Sequence, residues 1–507
     1  MDGSRSIGAA LDREVRKLIR RHNQVVASSA LDRKRYQKRS GSVALKPSSA
    51  IPAQWNVDPL FNPFYVRSRL DSIGHAIAHK IRTQAYEPKP SLLLGIPKPS
   101  GGTREIAIST IPDAAVSFWL GKRLIDRNAY RFSSYSYAYR SDRNAHHAIQ
   151  HLMSELRGRN RVFVLEYDFA KYFDSIDHGY LFDVLENNFL VAKRERRLLH
   201  AFVKNRRARS VSDYKNDTFE IPSVGIPQGS TVSLFLANVA CYELDRKIEK
   251  VGVTFARYAD DTLIVADSYA KACECANLLL SHGEQSGTKI NFSKSPGIAV
   301  LSDDSRSEIR QKRSVIFLSH ELSGDGVAIA PTAIARMKKR AARIMYNNLL
   351  LQPKRRQFNA SRIGHGFRDW DLVTCVNELR RYIYGRITEA SLSAGLSGKA
   401  RINSTRCALS FFPLVDDEGG TVLRQLDGWL ADTLERCYAK RCDILRPLGH
   451  AVSPVTADEL ISGSWYSFPS VPFEKKLPSF FKAWLYVNKA AKIYGLEKFP
   501  SPSYEYK

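Results

Sequence analysis

Residues 255–267 read FARYADDTLIVAD, with two adjacent carboxylates, Asp260 and Asp261, set between Phe255-Ala256 and Leu263-Ile264-Val265. Apolar and β-branched residues around a short polar centre predict a β-hairpin whose tight turn carries the acids. Neighbouring carboxylates repel, so a hairpin that presents two of them calls for a compensating cation. In isolation such a pair is more often a solvated turn. The stretches upstream decide against that.

Residues 161–178, RVFVLEYDFAKYFDSIDH, alternate Val162, Val164 and Glu166 on one face with Phe163, Leu165 and Tyr167 on the other. That is a strand delivering Asp168 at its end, before a turn into Tyr172-Phe173. A strand closed by a helix-starting Asp would look the same on its own. Residues 223–248 place Gln228 and Gly229 where a GIPQGS loop opens an apolar helix, so backbone N–H groups and an amide can meet a nucleotide. In LLLGIPKPSGGTREIAISTIPD (92–113), strands at Leu92–Leu94 and Glu105–Ile108 flank a Pro-Lys-Pro-Ser-Gly-Gly turn. Lys98 and Arg104 there are permanent cations suited to phosphate.

Residues 131–150, RFSSYSYAYRSDRNAHHAIQ, mix rings and bases as base stacking and phosphate pairing require. His146 and His147 open a helix and read as surface residues rather than metal ligands. Beyond the acidic hairpin, a helix from about Ala270 to His282 leads to TKINFSKSPGIAVL (288–301), with Lys294 just after a short strand. RSVIFLSHELSG (313–324) reads as a strand pair.

The 507 residues suffice for two to four lobes. With 77 Lys and Arg against 51 Asp and Glu, the chain carries +26, which implies a polyanionic partner, by default nucleic acid. An anionic membrane surface is the alternative, but no apolar run approaches the roughly 18–20 residues that span a bilayer. The N-terminal MDGSRSIGAALDREV lacks the basic-then-apolar layout of a secretory signal. Seven cysteines without zinc-like spacing suit a reducing cytosol, and a cytoplasmic location is expected.

Residues 1–60 form a basic leader in which Ile7, Leu11, Val15, Leu18 and Ile19 recur at helical spacing. A looser basic stretch, LDRKRYQKRSGS, follows. The leader reads either as a solvated helix packed on the body or as an RNA-contacting or oligomer-forming arm. From about residue 331 basic amphipathic helices dominate, beginning with RMKKRAARIMYNNLLLQPKRR. Tyr504 and Tyr506 lie in the terminal PSPSYEYK, ordinarily a frayed tail, though a tyrosine hydroxyl there is also a conceivable primer.

Together, IPKPSGGTRE, YAYRSDRNAHHAI, EYDFAKYFDSIDH, GIPQGS, YADD, KINFSKS and VIFLSHEL resemble the reverse transcriptase family, in the family's own order over roughly residues 90–325. The resemblance implies an α+β right-hand polymerase: a basic N-terminal extension (1–60), fingers (61–160), a palm with an antiparallel sheet (161–330) and a helical thumb and C-terminal region (331–507). Nucleotidyl transfer by two metal ions needs carboxylates holding Mg²⁺ (or Mn²⁺) ions about 3.5–4 Å apart. The family positions for these are Asp168, Asp260 and Asp261, with the Phe169 backbone carbonyl. Lys98 and Arg104 match the positions that clasp the triphosphate of a dNTP, and Gln228 and Gly229 those near its sugar and template. Lys294 matches a basic palm residue. Phe173 matches the steric gate that excludes a 2′-OH and so favours DNA over RNA synthesis. Arg140, Arg143, Tyr258, Lys338, Lys339 and Arg340 are the expected nucleic-acid contacts.

Within the family, the Ala of YADD and the compact GTRE fingers look bacterial, with a palm like those of group II intron and retron enzymes. The retron Val-Thr-Gly block is met only by Val373-Thr374-Cys375. The chain most resembles the stand-alone abortive-infection and antiphage-defence enzymes. That implies a structured noncoding RNA as template or scaffold and a DNA product; the apolar runs are too short for a membrane partner to be expected, and the amphipathic leader leaves room for self-association. A group II intron-type maturase that mainly binds and splices RNA is the alternative.

Overall fold

The computed structural model describes residues 6–42, 51–98, 101–302, 308–363, 369–385, 387–396, 408–416, 420–450, 452–466 and 475–499. The chain is an α+β protein whose centre is a five-stranded sheet. Strand β3 (Arg161–Tyr167) lies in the middle, flanked on one side by β6 (Asp261–Ala266) and β5 (Thr254–Tyr258) and on the other by β7 (Gly297–Ser302) and β8 (Gln311–Lys312).

The alternation in β3 sorts its residues between two cores. Phe163 and Leu165 join Phe255 and Ile264 on one face, whereas Val162 and Val164 join Leu263, Val265, Ala299 and Leu301 on the other. Both faces are covered, so the strands are apolar on both sides. Helices Thr231–Ala240, Tyr242–Val251 and Tyr269–Ser286 contribute to the first core, and Ala145–Leu156 covers the second.

The predicted basic hairpin forms from β1 (Ser91–Pro97) and β2 (Thr103–Ile108), with Leu92 opposite Ile108. A two-residue strand, β4 (Arg207–Ala208), adds in parallel beside β1. The expected strand pair at 313–324 is a three-stranded sheet, since β9 (Val315–Phe317) and β10 (His320–Leu322) are joined by β11 (Val327–Ile329).

The leader forms one long helix, α1 (Ile7–Ser40), capped by Ser6 and ended by left-handed Gly41. LDRKRYQKRS, expected to be looser, continues that helix. Its end is fastened to the C-terminal helices: Arg39 Nη1 donates to Asn348 Oδ1 at 2.6 Å, and Arg35 lies 3.3 Å from Glu378. Leu11 and Val15 are fully buried in the first core, so the first half of α1 is part of the body rather than a free arm. Val25, Val26 and Leu31 stay exposed.

From Ile329 to Phe499 a separate hydrophobic cluster forms, built by helices Pro331–Met345, Trp370–Tyr384, Thr421–Leu445 and Phe480–Tyr494. Arg441, fully buried, pairs with Asp369 and Asp371 at its centre. His146 corrects the surface reading of the histidine pair. It is fully buried, and its Nε2 sits 3.0 Å from the Ser410 carbonyl of this C-terminal unit. His147 closes a capping box with Asn144 instead. Cys241, Cys275, Cys375 and Cys442 are buried, and no described helix is long and apolar enough to cross a membrane. Cys407, Tyr504 and Tyr506 lie outside the described residues.

Candidate active site

Register alone brings the acids together. β3 pairs with β6 from Phe163↔Ala266 to Tyr167↔Thr262, so one further step sets Asp168 opposite Asp261. β5 and β6 close at Tyr258↔Asp261, leaving Ala259 and Asp260 as the two-residue turn. Burial, and next the charge of Asp168, push the Asp260 carboxyl above its ordinary pKa, with Arg104 and Lys294 among the groups pulling it back down.

Lys294 Nζ lies 2.8 Å from Asp168 Oδ2. That hydrogen bond is the main reason the ammonium is held above its ordinary pKa, and the charges of Asp168, Asp261 and Asp260 add to it. Lys294 follows a single bridge, Phe169↔Ile290, rather than the expected strand. The change matters locally, because it lets the chain wrap Asp168. The Asp168 N–H donates to Ser295 Oγ at 3.1 Å, and its carbonyl accepts from the Asn291 N–H at 2.8 Å. Asn291 Nδ2 also reaches Asp168 Oδ2 at 3.3 Å. The bridge uses the Asp168 carbonyl and the Ala170 N–H, so it does not consume the Phe169 carbonyl.

Three carboxylates gather at one sheet end, two of them in mutual repulsion, and a lysine ammonium already sits against one. This is the donor chemistry of a hard, oxygen-seeking divalent cation such as Mg²⁺ or Mn²⁺. Among the described residues, no three His, Cys, Asp or Glu side chains are already closed into a ligand cage. The residues fit the ion by charge and donor type.

The GIPQGS loop is built into the same end. The Ala107 N–H donates to the Gln228 carbonyl at 2.9 Å, and the Ile226 N–H to the Phe173 carbonyl at 2.7 Å. Gln228 Nε2 donates to Asp174 Oδ1 at 3.0 Å. The loop thus sits between hairpin β1–β2 and the turn that bears Phe173. Gly229 has φ +114°, and a Cβ there would meet Ile106 Cγ2 at 3.0 Å and the Ala107 carbonyl at 3.2 Å. Phe173 is half-buried, edge-on to Tyr172 and Tyr139. Arg104 stands on β2 opposite Ile96, and Lys98 is exposed at the hairpin tip.

The remaining expected contacts lie elsewhere. Arg140 departs most from expectation: its side chain is 7% exposed, tied to Asp142 and to the Ser133 carbonyl. Arg143 likewise bonds Asp142 and the Ser134 carbonyl. Both hold their own loop. Tyr258 packs against the second core. Lys338 lies over Trp429 and Arg340 over Tyr382 in the C-terminal unit, with Lys339 exposed between them. Sequence reasoning missed Asn291, Ser295 and Arg257. For Arg257 the signal was a charged residue inside the apolar run FARYA.

Residues 96–322 match the family described as Reverse transcriptase (RNA-dependent DNA polymerase). Protein YkfC of Escherichia coli (strain K12) is 27% identical over 195 residues, covering 37% of this chain and 49% of that protein. Group II intron-encoded protein LtrA of Lactococcus lactis subsp. cremoris is 27% identical over 190 residues, covering 37% of this chain and 30% of LtrA. The chain thus spans half or less of the length of these curated relatives. A solved telomerase from Candida albicans, in complex with a TWJ fragment of telomeric RNA, overlays with TM-score 0.37 and 12% identity over 76% of this chain and 65% of its own. That overlay is too loose to carry an argument. The matched stretch runs from the basic hairpin through all three acids to Lys294 and beyond, so that over residues 96–322 the chain is similar to the reverse transcriptase (RNA-dependent DNA polymerase) family.

Proposed function

We propose that this chain is an RNA-directed DNA polymerase that copies an associated structured noncoding RNA and serves antiphage defence. The observation that carries the polymerase reading is the register that sets Asp168 opposite Asp261, beside the Asp260 turn. Asp168, Asp260, Asp261 and the Phe169 carbonyl would hold two Mg²⁺ ions, with Mn²⁺ as a substitute. When bound, such ions supply an activated primer 3′-hydroxyl and charge neutralisation at the leaving pyrophosphate.

The chain's own residues do the rest. Lys98 and Arg104 grip the triphosphate of a dNTP. The backbone at Gln228–Gly229 supports the nucleotide, and Lys294 balances the acids until substrate and ions arrive. The Phe173 ring lies under the sugar and excludes a 2′-OH. The net charge of +26 supports an RNA partner held over a wide surface. The separate helical core from Ile329 to Phe499 supports placement with the stand-alone defence enzymes, which carry helical C-terminal extensions.

A second reading is favoured by the similarity to LtrA, a group II intron-encoded protein: a maturase whose main role is binding and splicing RNA. Purifying the protein from its host and sequencing the RNA and DNA that accompany it separates the two. One structured RNA with complementary DNA is the expected result. A spliced intron without a DNA product would replace the first reading with the second.

A further inference from the structure

We infer that Arg257 is the positioning residue of the acidic hairpin, choosing the turn conformation that aims Asp260 at Asp168. The inference rests on the polymerase reading above. Arg257 lies on β5 with 1% of its surface exposed. A guanidinium has five N–H donors in a fixed plane, and here all five are engaged. Nε and Nη2 donate to the two carboxylate oxygens of Asp245 at 2.8 and 2.6 Å. Nη2 also donates to Ser136 Oγ at 2.9 Å, and Nη1 to Asn238 Oδ1 at 3.1 Å. The fifth bond runs from Nη1 to the Ala259 carbonyl at 3.1 Å.

That carbonyl belongs to the central peptide of the turn. A two-residue hairpin turn with φ positive at both residues is type I′, and with φ positive at the first alone it is type II′. The two types differ in the orientation of the peptide joining the two residues. Here Ala259 has φ +63°, and Asp260 is not among the positive-φ residues, so the turn has the II′ signature. Alanine is a poor residue for that position, which favours glycine. Something outside the turn must therefore hold it, and the guanidinium does so. Flipping the peptide would break the fifth bond and swing the Cα–Cβ direction of Asp260 away from Asp168.

Asp245 and Asn238 come from the two helices Thr231–Ala240 and Tyr242–Val251, and Ser136 from the aromatic segment. The Arg257 backbone is stitched to that same segment, since Tyr137 N–H donates to the Arg257 carbonyl and Arg257 N–H to that of Tyr135, each at 2.9 Å. The turn is thus referenced to three separate parts of the core.

The test compares wild type, Arg257→Lys and Ala259→Gly by circular dichroism, by Mn²⁺ titration followed by electron paramagnetic resonance, and by primer extension. Lysine keeps a charge for Asp245 but has no fork to reach Ala259. Arg257→Lys should fold, bind Mn²⁺ about tenfold more weakly and lose about tenfold or more in kcat, with KM for dNTP moved less than about twofold. A folded Arg257→Lys with wild-type Mn²⁺ affinity and kcat overturns the inference. Ala259→Gly decides the case if the lysine variant does not fold. Glycine frees the turn to flip, so with Arg257 in place Mn²⁺ affinity should stay within about twofold of wild type, and a tenfold loss would contradict a hold by Arg257. Mn²⁺ binding is read without turnover, so a protein that binds the ion as expected yet extends no primer would refute the polymerase reading and leave the Arg257 inference standing.

Discussion

At Gly229 the backbone holds φ +114° and the space where a Cβ would go is filled by Ile106 and the Ala107 carbonyl. Gly229→Ala therefore meets both backbone strain and a clash with β2, with an expected cost of about 1–3 kcal/mol. Thermal melting should show the loss, and KM for dNTP should rise, since the displaced loop is the proposed nucleotide support. An unshifted melting point would mean that the loop is not packed against β2. At this scale the sequence was informative wherever a residue's chemistry is local. The acids, Gly229 and the basic hairpin announce themselves by type and spacing. Ser295 and Asn291 do not, because nothing about a Ser or Asn 127 or 123 positions from Asp168 marks it as that residue's support. Arg140 misled for the opposite reason: an arginine among aromatics looks like a nucleic-acid contact until Asp142, two residues on, is seen to claim it.

The turn bearing Phe173 and the loop bearing Gln228 work as one unit, joined by the Ile226–Phe173 and Gln228–Asp174 bonds. If the Phe173 ring is the sugar gate, Phe173→Ala should let ribonucleotides compete, raising the rNTP to dNTP ratio of kcat/KM by about tenfold or more. An unchanged ratio in competition assays would remove the gate from Phe173. Elements defined by periodicity or turn chemistry were legible here: the hairpin at 91–108, the strand ending at Tyr167, the helix opening at Thr231. Elements that exist only through distant partners were not. β4 is two residues long and forms because β1 lies beside it, and Ile290 makes one bridge because it meets Phe169. The last turns of α1 are helical with a docking site at Asn348 and Glu378.

Across the whole molecule, the seam between the central sheet unit and the C-terminal helices is pinned by buried histidines. His146 faces the Ser410 carbonyl and His320 that of Phe411, contacts between residues 264 and 91 positions apart that no local pattern reveals. Burial lowers His146 from 6.5 to about 4, so the folded chain binds fewer protons there than the unfolded chain as the solution is acidified. Its contribution is complete above pH 6.5 and is lost as pH falls toward 4. The melting temperature should drop between about pH 7.5 and about pH 5, and His146→Gln should show a smaller drop. An equal drop would place the acid sensitivity elsewhere, His282 being lowered in the same direction.

The acids at the end of the sheet carry the proposed chemistry. The most direct test of that chemistry is extension of a DNA primer on an RNA template by wild type and by the Asp260→Ala/Asp261→Ala double variant, with RNA affinity measured on the same samples. The acids are proposed to hold ions rather than RNA, so the double variant should incorporate no nucleotide while its RNA affinity stays within about twofold of wild type. Continued extension by the double variant would contradict the catalytic assignment of both residues.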